Sequence, residues 1–329
     1  MKFYAIYAIL IPVIRMKELT IKKNDAGQRL DRFLSKAVPL LPESLLQKYI
    51  RIKRVKLNGR GAKRDARLCE GDVLSLYIND EFFDKPTEDN AWVKISTPKL
   101  TVVYEDENIL LADKKPGVLC HAAGEWDFKT LINNIKAYLH AKGEWDPKSE
   151  HSFAPALCNR IDRNTGGIVI AAKNAEALRI MDEKIRLREI DKRYLAAIHG
   201  VMVPKSGTLE NYIWKDAKNN RVYVSQEPRR GAKSAATRYR TLAVKGGESL
   251  VECELLTGRT HQIRAQFSFA GHPLLGDGKY GRDKDRDGQQ LYSYKLRFAF
   301  TTPSGALDYL NGREFCVEKP DFAKKFFEN

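Results

Sequence analysis

The sequence contains little cysteine. Only five of its 329 residues are Cys, and no two of them form a Cys-x-x-Cys pair. Zinc ribbons and thioredoxin-like redox motifs need such pairs, so neither a metal site nor a disulfide framework is indicated. Free thiols suit a reducing compartment, and we therefore expect a cytoplasmic protein.

The sequence motifs of several enzyme classes are also missing. The chain has no GxxxxGK[ST] loop, the Walker motif of nucleotide-binding enzymes, and it lacks the H-x-E and P-C-x-x-C motifs of zinc deaminases. Its six histidines show no metal-ligand spacing. GDGKYG at 276–281 matches the glycine pattern of dinucleotide sites, but no adequate strand precedes it and no apolar helix follows. We expect neither a metal nor a small-molecule cofactor.

A long apolar run is absent as well. FYAIYAILIPVI at 3–14 has 12 residues, whereas a membrane-spanning helix needs about 20. We interpret residues 1–15 as an upstream extension or a docked first strand, with a membrane anchor as the alternative. We expect no membrane association.

Acidic residues are fewer than basic ones. Lys and Arg number 57 against 42 Asp and Glu, which gives a formal net charge of +15. Such an excess indicates a polyanionic partner, with nucleic acid favoured over a membrane. The hydrophobic fraction of 43% excludes a disordered chain, and the length allows two or three domains.

Periodicity and composition divide the chain into five segments. Helical spacing followed by alternating residues and an Asn58-Gly59 turn indicates a small α+β unit. Strand patterns with a few helices then indicate a larger α+β domain with a mixed, mainly antiparallel sheet. The segments are 1–24 (extension and first strand), 25–80 (α+β unit), 81–100 (linker), 101–318 (larger domain) and 319–329 (tail).

The small unit carries a strongly basic stretch. Nine of the twenty residues at 48–67 are Lys or Arg. A solvated helix end and loop would be the simplest explanation, but apolar residues between the cations indicate a folded surface suited to phosphates. We expect Arg51, Lys53, Arg54 and Lys56 to bind nucleic acid, either RNA or DNA. The features RLDRFL, VKLNG and GDVL resemble the alpha-L RNA-binding domain of ribosomal small-subunit protein four, which implies binding of structured RNA.

Two stretches of the larger domain carry candidate chemistry. CNRIDRNTGG at 158–167 places Asp162 between Arg160 and Arg163, ahead of an apolar strand. The carboxylate either forms a local ion pair or acts on a substrate as a nucleophile or as a stabiliser of a cationic sugar.

The second stretch begins a predicted helix over 260–270. Four polar residues cluster at or beside its N-terminus: Arg259, His261, Gln262 and Arg264. Free N–H groups and positive partial charge make a helix start suitable for a phosphate or a carboxylate.

Both stretches resemble motifs of the RluA family of pseudouridine synthases. NRIDRNTGG at 159–167 is similar to the family's H-R-L-D-x-x-T-S-G, and GRTHQIR at 258–264 matches its later motif. YEDENILLADKKPG, KRYLAAIHG and GHPLLGDGKYG agree in order, so the resemblance covers about 101–318. Two positions depart from the family pattern. Asn159 stands where the family usually has His, and Gly166 stands where it usually has Ser.

The resemblance implies an enzyme that isomerises uridine to pseudouridine in RNA. By position, Asp162 resembles the catalytic nucleophile and Arg264 the arginine that pairs with it. Tyr194 resembles the tyrosine that packs against the target base, and Arg160 the arginine that enters the vacated stack. We also expect four further residues to bind substrate: Thr165, Arg259, His261 and Gln262.

The resemblance implies large-subunit ribosomal RNA as substrate, because family members with the appended module usually act there. Transfer RNA is an alternative substrate. A non-catalytic RNA-binding ribosome-assembly factor and a nucleic-acid glycosidase are alternative functions, and the glycosidase would need a second carboxylate across the site. We expect a monomer.

Overall fold

A computed structural model describes residues 16–83, 87–124, 127–216, 218–219, 221–281 and 288–328, without the side chains of 87–90. Residues 1–15, and the hypotheses attached to them, lie outside this part. The chain forms two compact units. One comprises the chain to Ala91 together with Asp146–Ala154, and the other comprises Trp92–Trp145 and the chain from Pro155. In the described ranges, no helix is both long and apolar enough to span a bilayer.

The N-terminal unit packs two helices on a four-stranded antiparallel sheet of order β1-β4-β2-β3. Leu30, Phe33 and Leu34 are fully buried because the i, i+3, i+4 spacing puts them on one helix face. Asn58 and Gly59 both have positive φ, as the predicted hairpin turn requires. The elements are β1 (Lys17–Thr20), α1 (Leu30–Ala37), α2 (Glu43–Arg51), β2 (Val55–Leu57), β3 (Arg60–Gly61) and β4 (Val73–Leu76).

Residues 146–154 group with the N-terminal unit, although the sequence places them in the larger domain. The hydroxyl of Ser152 donates to the buried carboxylate of Asp25 at 2.6 Å. Lys22 donates to the Ser149 carbonyl at 2.5 Å. Because a buried carboxylate needs a hydrogen-bond donor, this segment completes the smaller unit.

The predicted linker and tail are also structured in part. The 3₁₀ helix Asp80–Phe83 begins at the last residue before the predicted linker, and a second one, Thr87–Lys94, lies within it. Trp92 packs on Trp145 with ring centroids 5.2 Å apart. In the tail, the buried Ala323 packs in one apolar cluster of the larger unit. Both segments therefore contribute to folded cores.

The larger unit is built on an 11-stranded sheet of order β11-β10-β12-β13-β9-β14-β8-β6-β5, with β15 on β14 and β7 on β8. Its neighbours pair antiparallel except β14 with β8, which confirms the predicted mainly antiparallel α+β class. A further 3₁₀ helix spans Gly305–Leu310. The elements are β5 (Val102–Glu105), β6 (Ile109–Lys114), α3 (Leu131–Ala141), β7 (Ala156–Leu157), β8 (Gly166–Ala172), α4 (Ala175–Leu187), β9 (Ile190–His199), β10 (Ser206–Asp216), β11 (Arg221–Ser225), β12 (Lys233–Lys245), β13 (Glu248–Leu255), α5 (Gln262–Phe269), β14 (Leu291–Phe298), β15 (Glu314–Cys316) and α6 (Asp321–Lys324).

Helix α5 is fixed on the sheet by its apolar side. Ile263 and Phe267 join a buried cluster with Tyr194 and Val251 of β9 and β13. Burying large apolar side chains of this kind contributes about 1.5–3 kcal/mol each. The packing holds the first turn of α5 beside the loop that precedes β8.

Gly166 and Gly167 allow β8 to approach β14. A Cβ at Gly166 would lie 2.2 Å from Cε2 of Tyr292, and one at Gly167 would lie 2.2 Å from the Ser293 carbonyl oxygen. Gly167 also has a φ of +112°, where other residues are strained. The Tyr292 ring occupies the space that a serine side chain at 166 would need, which accounts for the departure from the family pattern.

Replacing Gly166 with alanine is expected to lower the free energy of unfolding by about 1–3 kcal/mol, because the new methyl group overlaps the Tyr292 ring. In a Tyr292→Leu background the same substitution should cost less. Chemical denaturation of the four proteins measures both costs, and equal costs in the two backgrounds would contradict this explanation.

Candidate active site

Asp162 lies in a tight turn between β7 and β8. The backbone N–H of Thr165 donates to the Asp162 carbonyl at 3.1 Å and closes the turn. The ammonium group of Lys114, at the end of β6, donates to the carbonyls of Arg163 at 2.9 Å and Val118 at 2.8 Å. Burial lowers the pKa of Lys114 to about 8, so the lysine still carries its charge at neutral pH. A buried cation therefore fixes the turn that presents Asp162.

The carboxylate of Asp162 pairs with Arg264, which lies 102 residues further along the chain. Nη1 of Arg264 donates to Oδ2 of Asp162 at 2.8 Å. The Asp162 side chain is 26% exposed and that of Arg264 is 9% exposed. The guanidinium of neighbouring Arg163 instead donates to the Gly117 carbonyl at 3.2 Å. The structure thus shows the long-range pair that the resemblance implies, in place of a local ion pair.

Asp277 holds the other side of the Arg264 guanidinium, a role that was not predicted from the sequence. Nε and Nη2 of Arg264 donate to its two carboxylate oxygens at 2.7 and 2.9 Å. The backbone N–H groups of Lys279 and Tyr280 also donate to it. Burial alone would raise the pKa of Asp277, but the Arg264 guanidinium and these N–H groups outweigh it and hold the pKa below its usual value.

His261 precedes α5 and faces the same carboxylate. Its Nδ1 lies 2.8 Å from the Tyr280 hydroxyl, and its Nε2 lies 3.8 Å from Oδ2 of Asp162. The Tyr280 oxygen accepts the backbone N–H of Val222 at 2.9 Å, which leaves its own proton for Nδ1 of the imidazole. Burial lowers the pKa of His261. The negative charge of Asp162 opposes this shift, but with the charges of Arg264 and Lys279 the pKa stays below its usual value. We therefore infer a neutral imidazole with its proton on Nε2, towards Asp162.

Tyr194 lies on β9 in the apolar cluster that includes Ile161, the residue before Asp162. Its side chain is buried. Burial raises the pKa of Tyr194 to about 12, and the negative charge of Asp162 adds to this shift. The phenol therefore stays neutral, and Tyr194 is packed close enough to Asp162 for the carboxylate charge to act on it.

Two predicted substrate-binding residues are buried within the protein. Thr165 is 2% exposed and accepts a hydrogen bond from Gln289 at 3.1 Å. Gln262 is 3% exposed and bonds to four groups, among them the backbone N–H of Arg259 and the carbonyl of Ala236. Because their polar atoms already have internal partners, both residues shape the site and do not face RNA.

Arg160 and Arg259, which were also predicted to bind substrate, are more accessible. Arg160 is exposed and lies two positions before Asp162. Arg259 is partly exposed, and its Nε donates to the Ser234 carbonyl at 3.0 Å. Asn159, where the family usually has His, accepts the backbone N–H of Ile170 at 2.8 Å. Its side chain therefore supports β8.

Comparison with known proteins gives the family. The sequence model of a family described as RNA pseudouridylate synthase matches residues 108–269. An uncharacterised RNA pseudouridine synthase of Chlorobaculum parvum is 34% identical, over 80% of this chain and 78% of its own. A ribosomal large subunit pseudouridine synthase D of Borreliella burgdorferi is 32% identical, over 86% of each chain. The chain belongs to the RluA-type family of RNA pseudouridine synthases.

The fold agrees with that family. The human protein RNA pseudouridylate synthase domain containing 4 superposes with a TM-score of 0.55 at 21% identity, covering 71% of this chain and 94% of its own. The family assignment, which rests on the relatives at 34% and 32% identity, makes this pseudouridine synthase an isomerase that acts on uridine in RNA.

The geometry of the site argues against the glycosidase alternative. Asp277 is the second carboxylate bound to Arg264, but it is fully buried and already accepts four hydrogen bonds. It cannot act across a sugar from Asp162. Among the described residues of this synthase, no group of three or more His, Cys, Asp or Glu side chains is placed to hold a metal ion.

The basic residues predicted in the N-terminal unit lie on one helix–turn–strand segment. Arg51 ends α2, Lys53 and Arg54 form the turn, and Lys56 lies on β2. Arg51 and Lys53 are exposed. The guanidinium of Arg54 lies 4.9 Å from the centre of the Tyr49 ring. The segment therefore presents its cations on a folded surface.

At pH 7, ¹⁵N NMR of the imidazole rings is expected to show His261 neutral with its proton on Nε2. His272 is an internal control, because its Nδ1 lies 2.9 Å from the His199 carbonyl oxygen and must donate. It should show the opposite tautomer. Tyr280→Phe removes the hydroxyl that donates to Nδ1, so His261 in this variant should show a mixture of both neutral tautomers. An imidazolium, or a proton on Nδ1 of His261 in the unsubstituted enzyme, would contradict the proposed arrangement.

Proposed function

We propose that Asp162 is the nucleophile of this pseudouridine synthase and that its substrate is large-subunit ribosomal RNA. The nucleophile assignment is supported by the ion pair of Asp162 with Arg264 at 2.8 Å. The Asp162 side chain is still 26% exposed in this pair. A charge-paired and accessible carboxylate is oriented for attack and open to a ligand.

The reaction needs few groups. The bond between ribose C1′ and N1 of uracil breaks, the base turns, and C1′ bonds to C5. N1 gains a proton and C5 loses one, so no atoms or electrons are exchanged with a third reactant. The carboxylate of Asp162 either adds to the base or assists formation of the sugar intermediate, by bonding to the sugar or by stabilising its positive charge. Arg264 fixes the direction of that carboxylate, and no cofactor enters the scheme.

The surrounding residues suit an extruded uridine. Extruding a base from an RNA stack costs a few kcal/mol. Arg160 is exposed beside the turn and would fill the vacated place. Tyr194 would support the uracil as it turns, since an aromatic surface holds a base without fixing its edge. His261 would donate its Nε2 proton to an oxygen near Asp162.

The choice of substrate is supported by relatives and by charge. The Borreliella burgdorferi relative is named a ribosomal large subunit pseudouridine synthase. The net charge of +15 suits a large polyanion. Transfer RNA is the alternative substrate. We further propose that the enzyme works as a monomer in the cytoplasm.

The N-terminal unit is proposed to be an alpha-L RNA-binding module. Its helix–turn–strand segment carries Arg51, Lys53, Arg54 and Lys56. Within the described ranges, none of these four residues forms an ion pair with an acidic side chain. The cations would contact RNA phosphates and add affinity without reading the sequence.

Asp162→Asn is expected to reduce pseudouridine formation by at least about 1,000-fold, because the amide has the same shape but no negative charge. RNA affinity should stay within about twofold, since the site loses no phosphate contact. Mass spectrometry of digested RNA measures the product on a large-subunit ribosomal transcript and on a transfer-RNA pool. Asp321→Asn, an exposed carboxylate of α6, is the matched control.

Full activity of Asp162→Asn would refute the nucleophile assignment. Product on transfer RNA alone would select the alternative substrate. Tight binding of ribosomal RNA with no product from the unsubstituted enzyme on either RNA would instead favour the non-catalytic assembly factor.

Changing Arg51, Lys53, Arg54 and Lys56 together to glutamine is expected to weaken RNA binding and to reduce the slope of log affinity against log salt by about 3. Binding titrations at several salt concentrations check this. Substitution is preferable to deletion of 25–80, because residues 146–154 fold with that unit. An unchanged slope of log affinity against log salt would contradict the proposal that this segment binds RNA.

A further inference from the structure

The hairpin of β10 and β11 has two different faces. Ile213 and Val222 are buried in a cluster with Ala265 of α5. Side chains alternate across a strand, so Trp214 and Tyr223, which follow these residues, lie on the opposite face. They are direct cross-strand partners. The hairpin therefore presents two aromatic rings on the face away from α5.

These rings form a stacked pair with a cation. The ring centroids of Trp214 and Tyr223 are 5.6 Å apart, and the ring planes differ by 22°. The guanidinium carbon of Arg229 lies 4.8 Å from the centre of the Trp214 ring. Tyr223 is 40% exposed, and β11 is the edge strand of the sheet. The indole of Trp214 thus contacts both a phenol ring and a guanidinium, and the phenol of Tyr223 is accessible.

The charge around this stack suits a polyanion. Segment 215–233 contains six Lys or Arg and two acidic residues. If the Trp214–Tyr223 pair only stabilised the hairpin, it would not need this excess of positive charge around it. An aromatic surface with flanking cations is the arrangement that binds unpaired nucleotides, because every base can stack and every phosphate is attracted.

We propose that Trp214, Tyr223 and Arg229 form a stacking platform for unpaired nucleobases of the RNA, separate from the base that reacts at Asp162. The proposal rests on RNA being the substrate. The platform is connected to the active site, since the N–H of Val222, next to Tyr223, donates to the hydroxyl of Tyr280. That hydroxyl also bonds to His261. RNA held by the platform therefore lies against the same strand that supports the active-site histidine.

The test compares Tyr223→Leu with Tyr223→Phe, which keeps the ring. The probes are a fluorescein-labelled single-stranded RNA of about 12 nucleotides and a blunt duplex of the same length. Tyr223→Leu should bind the single strand about tenfold more weakly, whereas Tyr223→Phe should stay within about twofold. Duplex binding should change little in either variant. Arg229→Gln should weaken single-strand binding more than Arg297→Gln, an exposed arginine on β14 of the same sheet.

A second measurement does not depend on how the variants fold. Crosslinking of unsubstituted enzyme to single-stranded RNA that contains 4-thiouridine should label a peptide with Trp214 or Tyr223. Unchanged single-strand affinity in Tyr223→Leu, equal loss for both RNAs, or no crosslink to this peptide would overturn the platform.

Steady-state kinetics separates this proposal from the proposed function. On ribosomal RNA, Tyr223→Leu should raise KM about tenfold and leave kcat unchanged. A lowered kcat with unchanged KM would contradict the platform. If the unsubstituted enzyme forms no pseudouridine, the proposed function fails, and the binding and crosslinking results still decide on the platform.

Discussion

The candidate active site depends on one guanidinium shared by two carboxylates. Arg264 donates two hydrogen bonds to the fully buried Asp277 and one to the partly exposed Asp162. Leaving a charge unpaired in the interior is costly, so Asp277 is needed to hold the arginine in place. Because the guanidinium is planar and held in place, its hydrogen bond to Asp162 fixes the orientation of that carboxylate as well. Asp277, which is fully buried, therefore positions the carboxylate of Asp162 that we propose as the nucleophile.

The fold brings the two halves of this interaction together from distant parts of the chain. Asp162 stands on a turn that the buried Lys114 ties to the end of β6. Arg264 stands on α5, whose apolar side packs on β9 and β13. Gln262 and Gln266 bond the same helix to β12 through Thr237. Buried polar networks with satisfied partners are rigid, and rigidity is what a preorganised charge requires.

Much of this was predictable from the sequence, because it rests on local patterns. Alternation located the strands, and the resemblance to two motifs of the RluA family identified Asp162 and Arg264 as a pair. Asp277 was missed because its role depends on a contact across a folded loop. Its stretch matched a dinucleotide pattern and a flanking element of the family, and neither match assigned a role to this residue. The sequence also cannot tell a polar residue that faces RNA from one that bonds internally, as Gln262 does. The assignment of 146–154 to the smaller unit depends on single hydrogen bonds such as Ser152 to Asp25.

The kinetics of Arg264→Lys test the shared guanidinium most directly. Lysine keeps the charge but cannot reach both carboxylates as a planar fork does. We predict that kcat for pseudouridine formation falls about 100-fold while KM and RNA affinity stay within about threefold, in protein whose thermal unfolding confirms that it is folded. A lysine variant with unchanged kcat would contradict the account, because a simple positive charge beside Asp162 would then suffice.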